Sequence, residues 1–188
     1  MVEMMFVAAV AGATLAFELV QTRVLSTLYY NHVVYVTVTI ALMGFGISGV
    51  ATALLARRLS ARAHALAAWC GAGFAISMLV CLYVASHIPA ALPTLPPVAK
   101  LLLSYLVLVV PFLFSGAALG LVFMAGGARI HRLYAADLVA SAAAALAVCL
   151  LLAPLGAHGL AWGCVLVAVG AFLLLGVREG LPHGAMAL

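Results

Sequence analysis

The stretch from residue 133 to residue 177, LYAADLVASAAAALAVCLLLAPLGAHGLAWGCVLVAVGAFLLLGV, decides the fold of this chain. It contains one charged residue, Asp137, and it is interrupted near its middle by residues 154–158, PLGAH. A helix needs about 20 consecutive apolar residues to cross the hydrocarbon core of a bilayer. The stretch is therefore long enough for two membrane-spanning helices that are joined by a very tight turn.

The rest of the sequence has the same apolar character. Of the 188 residues, 69% are hydrophobic and only 6% are charged, whereas soluble domains carry about 25% charged and about 45–50% apolar residues. These values exclude a water-soluble monomer and also a disordered chain, which needs low hydrophobicity and high charge. The net charge of +4 reflects scarce acids rather than a basic patch, so we expect no nucleic acid partner. The composition is that of an integral membrane protein whose surface meets the lipid bilayer.

Six apolar stretches follow one another along the chain, separated by segments rich in proline, glycine or arginine. We predict an all-α fold, a polytopic integral membrane helix bundle with six transmembrane helices. The predicted spans are residues 5–29, 33–55, 65–85, 101–125, 133–153 and 159–177. In this prediction residues 1–180 form one membrane domain and residues 181–188 form a short cytoplasmic tail.

The basic residues give these spans a direction. Only Lys100 follows an odd-numbered span, whereas six arginines follow even-numbered ones: Arg57, Arg58, Arg62, Arg129, Arg132 and Arg178. Cytoplasmic loops of membrane proteins carry an excess of lysine and arginine. We therefore predict a multi-pass protein of the cell membrane with both termini in the cytoplasm.

Polar side chains recur at three- and four-residue steps along the first predicted span and form one stripe on its helix. The stripe comprises Thr14, Glu18, Gln21, Thr22, Ser26 and Tyr29. An ionisable side chain at the bilayer centre costs at least about 2.5–3.5 kcal/mol, so Glu18 and Arg23 need a reason to be there. Either Glu18 is a cation or proton site with Arg23 as its modulator, or both lock the first helix against its neighbours, with Arg23 reaching the outer interface. Arg23 lies about 140° around the helix from Glu18, so we expect no simple ion pair between them.

The fifth span adds two residues to this candidate intramembrane polar site, which then comprises Glu18, Gln21, Thr22, Arg23, Tyr134 and Asp137. Asp137 lies about one turn into its helix, where the positive end of the helix dipole favours an anion. Arg129 and Arg132 precede it on the cytoplasmic side. Asp137 is thus either a functional acid or an ordinary helix-start acid with basic neighbours, and by depth it should not reach Arg23.

The segment GFGISG at residues 44–49 matches the pattern GxGxxG. A dinucleotide site requires a preceding strand and an acid about 20 residues later, and neither is present, so we reject that interpretation. Small residues instead let helix backbones approach each other in lipid. We therefore predict helix packing at these glycines and at a second motif, GAALG; the residues are Gly44, Gly46, Gly49, Gly116 and Gly120.

Three histidines map to the outer ends of the predicted spans, namely His32, His87 and His158. Imidazole suits zinc, copper and haem iron, but no HxxxH or HxH spacing supports a site. A metal or haem at these histidines stays an open alternative to simple interfacial residues, and we expect no metal site and no cofactor. The four cysteines lie inside spans without CxxC spacing and are expected to act as small apolar residues.

Four segments together resemble one known family, the membrane-embedded spermidine synthase-like proteins. Residues 17–26, FELVQTRVLS, are similar to the first-span signature of that family, and residues 44–49 are similar to its glycine-rich second span. Residues 134–140, YAADLVA, resemble its Tyr-Ala-Ala-Asp-Leu element, with Ala140 where the family has glycine. Residues 154–156, PLG, fit the tight turn that follows this element. The matches follow the order of the family's elements and together cover most of the chain.

In that family a cytoplasmic Rossmann-like aminopropyltransferase domain follows the membrane part. Only residues 178–188 follow the last predicted span here, so the resemblance implies the membrane module alone, and we do not expect this chain to be an enzyme. One hypothesis is a membrane anchor or accessory subunit for a partner, which is another membrane or soluble subunit or a second copy. The alternative is a half-transporter for a cationic amine or other small solute that works as a homodimer.

Overall fold

A computed structural model describes residues 1–28, 34–91 and 96–178 of the chain. Helix accounts for 98% of this part, which contains no strand, so the all-α prediction is confirmed. The α-helices are α1 (Val2–Leu28), α2 (Val34–Leu54), α3 (Ala56–Leu59), α4 (Ala63–Ala91), α5 (Pro97–Gly126) and α6 (Ile130–Arg178). Short 3₁₀ turns at Ser60–Arg62 and Gly127–Arg129 precede α4 and α6. The predicted tail at residues 181–188 lies outside the described residues.

The longest helix, α6, is interrupted at Gly156. There φ is 68° and ψ is 170°, a backbone conformation that is essentially confined to glycine. Pro154, two residues earlier, removes a backbone donor at the same place. The break divides α6 into a first arm, residues 130–155, and a second arm, residues 157–178.

The two arms of α6 fold back on each other. If α6 were straight, its 49 residues would separate its ends by about 70 Å. Instead Arg129, just before α6, and Arg178, its last residue, both contact Glu3. Ala144 of the first arm and Gly163 of the second arm also line the same cavity beside α1. α6 is therefore a helical hairpin that packs along α1.

The contact between α2 and α5 is unusually close. A Cβ at Gly44 would lie 2.6 Å from the Phe112 Cβ, and a Cβ at Gly116 would overlap the Ser48 hydroxyl. Gly120 faces Thr52 in the same way, at 3.2 Å. These pairs advance together along both helices, so α2 and α5 run in the same direction. α4 packs against α5 and α6 and completes the bundle.

The core is aromatic and the outside is apolar. Fully buried side chains include Phe6, Phe17, Phe74, Phe112 and Met78. Large apolar side chains also cover the exterior, such as Leu42, Ile47, Val50, Leu150 and Leu166. In water such a surface would be an aggregation liability, whereas hydrocarbon accepts it.

Within the described residues, four segments are long and apolar enough to cross a membrane: Val2–Ser26, Thr37–Leu54, Ala56–Val84 and Tyr105–Arg178. The last of these is 74 residues long and includes most of α5 and the whole α6 hairpin. These long apolar helices are compatible with a membrane location.

Candidate functional site

One cluster of charged side chains lies at the end of the bundle where α1 begins. The carboxylate of Glu3 accepts a hydrogen bond from Nη1 of Arg178 at 2.9 Å. It also lies 3.6 Å from Nη2 of Arg129 and 3.3 Å from Nε2 of His64. Glu3 is only 4% exposed, and its place in the first turn of α1 is one that the helix dipole favours for an acid. Basic neighbours and helix dipole together compensate the loss of water around this carboxylate.

The Glu3 cluster brings four parts of the chain together at one end of the molecule. Glu3 begins α1, His64 begins α4, Arg129 precedes α6 and Arg178 ends α6. Sequence reasoning did not select Glu3, because this residue precedes the first predicted span. The sequence does hold an indication of its role. The chain has only four acidic residues, and Glu3 lies at the end of the bundle where most arginines are expected.

The constant residue spacing of the α2–α5 contacts shows which other residues of these two helices lie at the same level, that is, at the same height along the bundle. The contacting residues differ by 68 in each pair, namely 44 and 112, 48 and 116, and 52 and 120. The same spacing places Thr37 of α2 at the level of Tyr105 of α5. Both lie near the end of the bundle that is remote from Glu3.

Glu18 of α1 lies at nearly the same level. Helices α1 and α4 start together at the Glu3–His64 contact, and a Cβ at Gly71 of α4 would lie 3.2 Å from the Phe6 ring. Positions that differ by about 61–65 therefore lie at the same height along the bundle. Glu18 corresponds to residues 79–83 of α4. The Cys81 thiol contacts the carbonyl of Val107 at 3.3 Å, which relates residue 83 to Tyr105 because α4 and α5 are antiparallel.

Gln21 lies one turn beyond Glu18, on the same side of α1. We call Glu18, Gln21, Thr37 and Tyr105 the polar layer, because they occupy about two turns of the bundle on three helices. Gln21 is 6% exposed and Thr37 is 0% exposed. Among the described residues, neither the side-chain amide of Gln21 nor the hydroxyl of Thr37 has a hydrogen-bond partner. The hydroxyl of Tyr105 is buried as well.

The other hydroxyls of the predicted stripe bond back to their own helix. Thr14 donates to the carbonyl of Val10 at 2.7 Å and Thr22 donates to the carbonyl of Glu18 at 2.8 Å. Ser26 likewise donates to the carbonyl of Arg23 at 2.7 Å. Such local bonds satisfy a hydroxyl in an apolar environment, so these groups need no ligand.

Arg23 faces α6 rather than the polar layer. It lines a cavity of about 450 Å³ at the turn of the α6 hairpin, together with Cys149, Leu152 and Gly156. No ion pair joins it to Glu18 within the described part of the chain. This arrangement follows from the angle of about 140° between the two positions on the helix.

Tyr134 and Asp137 lie nearer the opposite end of the bundle. A Cβ at Gly12 of α1 would lie 3.4 Å from the carbonyl of Ala140, and α1 and the first arm of α6 run in the same direction. Glu18 is six residues beyond Gly12 and Asp137 is three residues before Ala140, so the two acids differ by about 14 Å along the bundle. The structure therefore does not bring the six predicted polar residues into one site. Tyr134 is exposed, and Asp137 is half-buried.

The predicted packing glycines also divide into two groups. Gly44, Gly116 and Gly120 lie at the close contact between α2 and α5. A Cβ at Gly46 or Gly49 would meet nothing within 4 Å, so these two do not serve packing within the described chain. The reason is angular, because Gly46 and Gly49 lie on the face of α2 that points away from α5.

The histidines give no evidence of a metal centre. His32 lies outside the described residues, His87 lies in α4, and His158 is exposed beside the turn of α6. Within the described ranges, no group of three or more His, Cys, Asp or Glu residues could hold a metal ion. Comparisons with models of protein families, with curated proteins and with solved structures find no match for this chain.

Proposed function

We propose that the chain is an integral membrane module of six crossings with both termini in the cytoplasm. The crossings are α1, α2, α4, α5 and the two arms of α6. Two observations support this topology. Large apolar side chains cover much of the exposed surface of these helices. The Glu3 cluster also joins the start of α1, the start of α4 and both ends of α6, which six crossings would place on one side of the membrane. The arginines that follow even-numbered crossings then face the cytoplasm.

We propose further that this module serves as a membrane anchor or accessory subunit for a partner protein. The observation that carries the proposal is the uncovered face of α2. Only 28% of the residues in the most apolar 18-residue stretch of α2 are buried. In the corresponding stretches of the other candidate spans, 44–56% of the residues are buried. The uncovered face includes Gly46 and Gly49, and small residues allow another helix to approach closely in lipid. The resemblance to the membrane part of spermidine synthase-like proteins agrees with such a role.

Purification from native membranes in a mild detergent tests this proposal. We expect the chain to elute as part of a larger complex, and we expect Gly46→Leu to reduce that complex at least several-fold. Gly170→Leu is a matched control, because Gly170 lies on the second arm of α6 and a Cβ there also meets nothing within 4 Å. A solitary monomer under all conditions, or equal loss with both variants, would contradict the proposal.

A half-transporter for a cationic amine or other small solute, working as a homodimer, is the second candidate. Its support is Glu18, a half-buried acid within a candidate span. Asp137 lies at another level and would not share that site. If purified chain in proteoliposomes takes up no amine, or if uptake is unchanged by Glu18→Gln, this candidate is lost.

A further inference from the structure

Arg23 lies within a candidate membrane span, and no acid of the described chain reaches its guanidinium group. Three acidic residues belong to the part of the chain that the structure describes. Glu3 is about 30 Å away along α1, and Asp137 is about 21 Å away along the bundle. Glu18 lies about 140° around the same helix, and no ion pair joins it to Arg23 within the described ranges. The negative charge that compensates Arg23 therefore comes from outside the described chain.

Arg23 lies at the height of the turn that joins the two arms of α6. It lines the cavity of about 450 Å³ there, together with Gly156 and Ala157 of the turn. In the proposed topology this turn is at one boundary of the membrane, opposite to the Glu3 cluster. Arginine side chains near the ends of membrane helices reach the interface between hydrocarbon and headgroups. The anions that a bilayer presents at this depth are the phosphate groups of its lipids.

The cavity has one charged wall, formed by Arg23, and its other walls are apolar. The other lining residues are Val24, Cys149, Leu152, Ala153, Gly156 and Ala157. Sites for small molecules in proteins have volumes of about 300–1,000 Å³, so this cavity has room for a phosphate group and a glycerol backbone. The planar guanidinium group of arginine binds two phosphate oxygens at once, and the apolar walls suit the ester region that follows the phosphate in a lipid.

An exposed apolar stripe continues from this cavity along the first arm of α6. Its residues recur at three- and four-residue steps, which places them on one side of the helix. They are Ala142, Leu146, Cys149 and Ala153, and all four are exposed. The stripe extends about 16 Å along the helix, close to half of the hydrocarbon thickness of about 30 Å. An acyl chain of one leaflet therefore matches the stripe in length and in polarity.

The cavity favours an anionic lipid over a zwitterionic one. Neither its lining residues nor the stripe includes an acid, so the ammonium group of a zwitterionic headgroup finds no partner there. We propose that the cavity at Arg23 binds one anionic phospholipid of the adjacent leaflet. The lipid phosphate accepts hydrogen bonds from Arg23, and one acyl chain lies on the stripe of the first arm. The inference rests on the membrane-spanning arrangement of the proposed function but not on the partner.

Native mass spectrometry of the purified full chain in detergent counts bound lipid molecules directly. Phosphatidylglycerol is the anionic probe, and phosphatidylcholine with the same acyl chains is the zwitterionic control. We expect one phosphatidylglycerol per chain to be retained, with an affinity at least several-fold above that for phosphatidylcholine. Equal retention of the two lipids would overturn the proposal.

Variants locate the bound lipid. Arg23→Gln should lower the retention of phosphatidylglycerol to that of phosphatidylcholine. Arg23→Lys should keep only part of it, because an ammonium group lacks the planar fork that binds two phosphate oxygens. Arg132→Gln is the matched control, since Arg132 is an exposed arginine at the opposite end of the bundle. Unchanged retention in Arg23→Gln, or an equal loss in Arg132→Gln, would contradict the site.

Ala153→Trp tests the cavity without a change of charge. Ala153 is exposed and lines the cavity, so an indole there fills the space while the helix contacts stay intact. We expect this variant to lose phosphatidylglycerol several-fold and to keep the Tm of the natural chain without added lipid. If it retains phosphatidylglycerol as the natural chain does, the lipid is not in this cavity and the proposal fails.

Inorganic phosphate at equal ionic strength separates a lipid site from a site for free anions. A ligand that binds the folded state raises Tm, and we expect phosphatidylglycerol to do so and inorganic phosphate not to. Equal stabilisation by the two would show that the acyl chain contributes nothing, which would overturn the proposal. Gly46→Leu, which tests the partner on α2, should leave lipid retention unchanged, because Gly46 does not line this cavity. Failure of the partner proposal and failure of the lipid site are therefore distinguishable.

Discussion

The contact between α2 and α5 at Gly44 leaves no room for a methyl group. A Cβ at this position would lie 2.6 Å from the Phe112 Cβ and 3.1 Å from the backbone nitrogen of Leu113. Ordinary carbon–carbon contacts are about 3.5–4.0 Å, so Gly44→Ala requires the two helices to separate by about 1 Å. Because the obstacle is backbone and a Cβ, no side-chain rotation relieves it.

The expected cost follows from this separation. Overpacking in a well-packed core typically costs about 1–3 kcal/mol, and the separation also loosens the contacts at Gly116 and Gly120. Gly46→Ala is an internal control two residues along the same helix, because a Cβ at Gly46 meets nothing within 4 Å. That variant removes a helix-interior glycine, so it should be neutral or gain up to about 1 kcal/mol.

Reversible unfolding of the purified chain in mixed detergent micelles measures both variants on one scale. We expect Gly44→Ala to lie about 1–3 kcal/mol below the natural chain and Gly46→Ala to lie at or above it. Equal effects of the two substitutions would refute the packing of α2 on α5 through Gly44. Increased stability of Gly44→Ala would refute it as well.

Two other substitutions probe the α6 hairpin and the Glu3 cluster. Gly156→Ala should lower the free energy of unfolding by about 1–3 kcal/mol, since a φ of 68° is strained for alanine. Gly163→Ala is the control and should not lower it, because a Cβ at Gly163 meets nothing within 4 Å. Equal effects of the two substitutions would contradict the break at Gly156. Glu3→Gln should lower Tm and cost about 1–2 kcal/mol, less than a fully buried pair, because the Arg178 side chain is 44% exposed and regains water. The double variant with Arg178→Gln should be little worse than Glu3→Gln alone, and full additivity would show that the two side chains do not interact.

The helical class and most helix positions were predictable because hydrophobic length alone constrains them. The second predicted span, residues 33–55, differs from α2, Val34–Leu54, by one residue at each end. The turn at residues 154–158 was predictable from Pro154 and Gly156, and the structure places its break at Gly156. What sequence could not give is how the helices associate, since α1 packs mainly on the α6 hairpin while α2 packs mainly on α5.

The candidate site was only partly predictable, for the same reason. Glu18 and Gln21 stand out as polar residues on one apolar helix, and the structure retains both in the polar layer. Thr37 looks ordinary in a helix with several threonines, and its importance depends on being buried without a partner. Asp137 and Arg23 were grouped with Glu18 by residue type, but depth and angle along the helices separate them.

Cysteine accessibility in intact cells tests the six crossings most directly. In a chain whose four natural cysteines are replaced, single cysteines are introduced at Ser60, Ala128 and His158 and treated with a membrane-impermeant maleimide. We predict that His158→Cys reacts in intact cells, whereas Ser60→Cys and Ala128→Cys react only after the membrane is permeabilised. Reaction of Ser60→Cys and His158→Cys from the same side of the membrane would contradict the six-crossing topology, and with it the environment inferred for Glu18.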